Sequence, residues 1–202
     1  MTHARILLAA LLLAATPALA QAPAAKPKED AAASKPPATP PKTRAQRLDE
    51  LFARLKAAPD ADAAKPISQS IELLWLRSGS DTVDLLMTRA LESAKGDNDT
   101  AISLLDSVVD LAPGYAEAFN RRATIYFIKK DYERSMLDIR EVLNHEPRHF
   151  NAWSGLGRIL QDVGYKKRAL AAYRKAIELN PHLDGIKRQI ETLSVEVEGR
   201  DI

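Results

Sequence analysis

Three prolines, Pro113, Pro147 and Pro181, stand 34 residues apart, and each follows a run that reads as the last turn of a helix. Proline cannot donate the next helical hydrogen bond, and its ring clashes with the preceding turn, so a proline at a fixed period marks the end of a repeated unit. Other columns align at the same period. Ala101, Ser135 and Ala169 form a small-residue column, and Leu105, Ile139 and Tyr173 a bulky one. Val108, Val142 and Ala176 follow, and Leu85, Phe119 and Trp153 sit early in each unit. Apolar residues recur at three and four within each unit, which predicts paired helices burying one face against their neighbours. Small residues at a crossing let two helix backbones approach to about 8–10 Å while a large residue fills the groove opposite.

These columns resemble the tetratricopeptide repeat, two antiparallel helices in 34 residues. Residues 150–183 carry nearly the whole pattern: Trp153, Leu156 and Gly157 at the opening, Gly164 in the inter-helix turn, Ala169, Tyr173 and Ala176, then Pro181. Residues 116–149 match through Phe119, Ala123, Tyr126, Ser135, Ile139, Val142 and Pro147, with Arg122 where the family often has Leu. Residues 82–115 match in their second half through Gly96, Ala101, Leu105, Val108 and Pro113. There Arg89 falls on the small contact position, unless the first helix is one residue short and Arg89-Ala90 aligns with Arg122-Ala123. The second alternative is preferred, because burying an unpaired guanidinium costs several kcal/mol.

The resemblance implies an all-α helical solenoid of about three repeats. A C-terminal capping helix and tail follow over 184–202, with Ile186, Ile190 and Leu193 on one face. An N-terminal helical hairpin precedes the repeats over 44–81, read as a degenerate repeat or a cap. Its first helix places Leu48, Leu51, Phe52 and Leu55 on one face, and its second is expected from near Pro66 to Arg77.

The chain begins with a targeting pattern. Arg5 supplies a positive start, Ile6 to Ala15 an apolar run, Pro17 a break, and Ala18-Leu19-Ala20 the small residues of a cleavage site. That run is far shorter than the ~20 residues that span a bilayer. The expectation is a signal peptide over 1–20, cut after Ala20, and a periplasmic chain without a stable membrane span after cleavage; an uncleaved anchor is the alternative. Gln21 to Thr43 is Ala, Pro and Lys with no Leu, Ile, Val or aromatic residue, which predicts a disordered linker. There are no cysteines, so packing without disulfides must hold the fold, and thiolate metal sites and thiol nucleophiles are excluded. The net charge of +2 is too small to argue for nucleic acid.

One string looks catalytic. His145-Glu146-Pro147-Arg148-His149 matches H-E-x-x-H, which on a continuous helix aims two imidazoles at one zinc. Pro147 lies inside it at a repeat boundary, so a turn is expected between the histidines and a metal-dependent hydrolase is only a remote alternative. No cofactor, metal or catalytic residue is assigned.

What remains is surface. In the family that the chain resembles, the first helix of each pair lines a concave, partner-binding groove. Carried over, the lining is Asn120, Arg121, Thr124 and Phe127, then Asn151, Ser154, Arg158 and Gln161, with Leu86, Met87 and Ala90 from the first unit. The family's carboxylate clamp is not reproduced, since Leu86 and Ala90 stand where its first Lys and Asn would be. Charge is uneven: residues 82–115 hold two bases against six acids, 116–149 seven against six, and 150–183 six against two. The function expected is a scaffold or adaptor holding a protein or peptide partner of the cell envelope. An assembly chaperone for envelope proteins or apocytochromes is the alternative.

Overall fold

The computed structural model describes residues 41–199. The signal segment, most of the proline-rich stretch and the last residues of the tail lie outside them. Among the described residues the structure is all-α: α1 (Arg44–Ala57), α2 (Ala61–Leu76), α3 (Asp81–Ser93), α4 (Asn98–Leu111), α5 (Ala116–Ile128), α6 (Tyr132–His145), α7 (Phe150–Asp162), α8 (Lys166–Leu179) and α9 (Asp184–Glu198). Short polar side chains start several of them. Thr43 and Gln46 close a reciprocal capping box on α1, and Asp60, Asp97 and Asp131 accept from backbone N–H groups at the starts of α2, α4 and α6. Asp60 explains why α2 begins before the expected site: the cap fixes the start, and Pro66 is carried inside the helix.

The pairs α3–α4, α5–α6 and α7–α8 form by close approach at the small-residue columns. Ala90 meets the α4 face carrying Ala101, and both are buried; Arg89 beside it is exposed, so the guanidinium is in water and the small residue is in the core. In the second pair Ser135 is buried because its hydroxyl donates to the Ala123 carbonyl at 2.7 Å. In the third, Gly157 abuts the Tyr173 ring so closely that a Cβ there would lie 2.5 Å from ring carbons. The turns inside two pairs use a left-handed residue, Lys130 (φ 60°) and Gly164 (φ 87°), at the same position of successive units.

Successive pairs stack through α4 on α5 and α6 on α7, and α9 closes the end on α8. Leu193 is buried there with Ala169, Leu170 and Tyr173. Arg122, which replaces an apolar residue of the repeat pattern, makes two bonds to Asp138 of α6 (2.7 and 2.9 Å) and one to Asp106 of α4 (2.6 Å). One guanidinium thereby fastens three helices across a repeat boundary, with Asp138 buried beneath it.

The α1–α2 hairpin does not pack chiefly on α3. It lies along the turn edge of the stack, touching the residues that start the first helices of successive units. The Tyr115 hydroxyl donates to the Leu76 carbonyl at 2.5 Å, and the His149 ring stacks on Trp75 at 4.1 Å. Leu183 packs into the hairpin cluster, where Leu48, Leu55, Ile71, Trp75 and Phe150 are buried together. Arg148 bonds Asp49 at 2.6 Å and lies over the Phe52 ring, while Asn180 donates to Ser68 at 3.1 Å.

Two substitutions test this packing. Gly157→Ala must push the enclosed Tyr173 ring aside, and should cost about 1–3 kcal/mol in urea unfolding. Arg122→Ala strands the buried Asp138 carboxylate and should cost about 3–5 kcal/mol, much of it recovered when Asp138→Leu is added.

Candidate functional site

Five of the eight expected groove residues come together. Asn120, Thr124 and Phe127 of α5 face Asn151 and Arg158 of α7 across a groove of about 160 Å³. Its floor is Ala123, Ser135, Ile139, Ala152 and Ile159, contributed by α5, α6 and α7, with Gly155 opening space between the helices. The three- and four-residue spacing of 120, 124 and 127 places these side chains on one face of α5. Arg158 sits over the Phe127 ring at 5.8 Å, so an apolar plate and a cation share one end. At the other end Asn151 donates to Glu72 of α2 at 2.9 Å. Glu72 has no counterpart in the repeat columns, and nothing in the sequence pointed to it.

The other three are held elsewhere. Arg121 pairs with Glu117 one turn earlier at 2.5 Å and does not line the groove. Ser154 turns its hydroxyl back onto the Phe150 carbonyl at 2.8 Å. Gln161 accepts from the Tyr173 hydroxyl at 2.9 Å and donates to Gln189 of α9 at 3.2 Å, so it fixes the cap. In the first unit Met87 and Ala90 are core residues, and only Leu86 is partly exposed. The expected shortening of the first helix is not found: α3 is as long as α5 and α7, and the extra residue lies in the turn 94–97, with Arg89 exposed and Met87 and Ala90 buried.

His145 and His149 do not face a common point. His145 ends α6 and lies against Phe119, while His149 is buried beyond the Pro147 turn. His149 Nδ1 accepts the Ala152 N–H at 3.2 Å, so it carries no hydrogen, and Nε2–H donates to Glu117 at 3.0 Å. The ring therefore caps α7, anchors Trp75 and holds a buried carboxylate at once. Sequence reasoning saw this histidine only as half of a metal motif.

Burial pushes the Glu117 carboxyl upward, but the hydrogen bond from His149 and the charge and hydrogen bond of Arg121 outweigh it, and the group sits below its ordinary range. Tyr115, buried beside that carboxylate, is pushed well above its usual value.

The fold and its groove define a helical-repeat scaffold. The family model described as tetratricopeptide repeat matches residues 150–183. A TPR repeat-containing protein of Rhizobium etli is 41% identical over 157 residues, spanning 76% of each chain. The Sgt2 TPR domain from Aspergillus fumigatus superposes with a TM-score of 0.55 at 28% identity, covering 59% of this chain and 81% of that one. The first TPR of Spaghetti (RPAP3) bound to the HSP90 peptide SRMEEVD also has a TM-score of 0.55. It is 20% identical and covers 57% and 93% of the two chains, a likeness of fold alone. The chain belongs to the tetratricopeptide-repeat family.

The Glu117 contacts give a pH dependence of fixed sign. A folded value below the ordinary 4.5 stabilises the native state fully above that pH, and the contribution is lost as pH falls through the depressed value. Urea midpoints measured downward from pH 5 should therefore fall more steeply for the native chain than for Glu117→Gln. Equal slopes would show that the pair does not bind protons differently in the two states.

Proposed function

We propose that the chain is a non-catalytic adaptor of the periplasm that holds an extended segment of a protein partner across α5 and α7. The observation that carries this reading is the row of Asn120, Thr124, Asn151 and Arg158 set around an apolar floor. Side-chain amides both donate and accept, so they match the alternating N–H and C=O groups of an extended backbone without demanding a sequence. Arg158 and Phe127 add a preference for an acidic or aromatic side chain at one end. The first TPR of Spaghetti, which shares the fold, is itself seen with a bound peptide.

The periplasmic half of the reading rests on the Arg5-to-Ala20 pattern. Its non-catalytic half is supported by His149, whose two ring nitrogens are both engaged, and by its separation from His145 across a proline turn. Among the described residues no helix is long and apolar enough to cross a membrane.

Photo-crosslinking from position 124 in the full chain should capture a partner in cells. Asn151→Ala combined with Arg158→Glu should reduce that capture about tenfold or more while leaving helical circular dichroism intact. Undiminished capture would remove the groove from the proposal. Mass spectrometry of the same fraction should find a chain beginning at Gln21 in the periplasm, and an uncut chain in the cytoplasm would remove the compartment.

A further inference from the structure

The hairpin spends one face on the stack and leaves another open. On α1, Arg44, Arg47, Leu51 and Arg54 recur at three- and four-residue spacing and so form a single stripe. Leu73 and Leu74 of α2 and Arg77 just past its end run alongside, and between the two helices lies a groove of about 750 Å³. Leu51 and Leu74 are half-buried at its base, and Leu73 stands on the rim, 63% exposed. Elsewhere the arginines that join elements are paired: Arg122 with Asp138, Arg148 with Asp49, Arg174 with Glu198. In this groove they are not. Among the described residues, none of Arg44, Arg47, Arg54 and Arg77 has a carboxylate at ion-pair distance, and Glu50 on the rim is taken by Lys42.

We propose that this second groove docks an acidic amphipathic helix of a protein partner, one carrying leucine-like residues on its inner face and carboxylates along its flanks. A cleft between two antiparallel helices accepts a third helix by the same ridge-and-groove fit that builds the repeats. The arginines from 44 to 54 extend over about 15 Å of helix axis, so carboxylates spaced one turn apart on the incoming helix meet them in register. Guanidinium–carboxylate bonds are charge-assisted and often bidentate, which fits arginines standing free above an apolar floor.

Rival surfaces fit less well. A single-stranded nucleic acid needs aromatic plates to stack on, and among the described residues no aromatic side chain lines this groove. A flat lipid surface cannot reach Leu51 and Leu74, which are recessed. The site is separate from the α5–α7 groove and does not depend on how that groove is used.

The test uses the full chain and a fluorescein-labelled synthetic helix of about 18 residues, five turns, with leucine at i, i+3, i+4 and i+7 and glutamate on both flanks. Anisotropy should show saturable binding that weakens as salt is raised, and no binding by the same peptide with lysine for every glutamate. Arg47→Glu with Arg54→Glu should weaken the affinity about tenfold or more, and Arg158→Glu should leave it unchanged. Arg47→Gln with Arg54→Gln, its helicity checked by circular dichroism, should give a smaller loss of the same kind. Equal binding of the two peptides, or a loss caused by Arg158→Glu instead, would overturn the proposal. So would arginine-dependent sedimentation with phosphatidylglycerol vesicles without peptide binding, which assigns the face to a membrane. Self-association abolished by the Arg47/Arg54 pair would likewise overturn it, by assigning the face to a second copy.

Discussion

Each helix pair stands on a contact in which one side chain has been reduced almost to nothing. Where α7 crosses α8, Gly157 has no Cβ and the Tyr173 ring occupies its place. Where α5 crosses α6, Ser135 is admitted because its hydroxyl finds the Ala123 carbonyl. Where α3 crosses α4, two alanines suffice. The distance between helices sets how wide each unit is, the width sets where the next unit can stack, and the stacking sets the spacing of α5 and α7 that makes a groove. A methyl group added at the crossing changes all of these together.

These contacts were legible in the chain because they recur. A residue that returns every 34 positions with the same size announces a geometric demand, and the small columns, the bulky columns and the terminal prolines all did so. The pattern survived even its exception. Arg122 breaks an apolar column, and the structure accommodates it by supplying Asp138 from the facing helix and Asp106 from the preceding unit. What was not legible is what happens once. Glu72 reaching Asn151, Trp75 lying on His149 and Asn180 meeting Ser68 join positions 74 to 112 residues apart, and no period links them. His149 shows the cost of judging a residue by its neighbours in sequence. The string around it suggested a metal ligand, whereas its chemistry is set by Trp75, Glu117 and the N-terminus of α7.

The groove was partly readable because the family resemblance carried its positions over. Asn120, Thr124, Phe127, Asn151 and Arg158 are positions that the family resemblance assigned to the groove, and they line it. Arg121 and Gln161 occupy neighbouring positions, but long side chains go where partners are, and Glu117 and Gln189 hold them away. The resemblance carried backbone placement; it could not carry the final direction of a flexible side chain.

The hairpin lying across the starts of α5, α7 and α9 has a kinetic meaning as well. A stack whose units touch only their neighbours can begin to form anywhere and can fray from either end. Joining Ser68 to Asn180 closes a loop of 112 residues, a link that pays its entropy late and all at once. The hairpin can therefore settle only after the units it spans are in place, and once settled it makes them melt together. A row of semi-independent modules becomes, through two helices laid crosswise, one cooperative body.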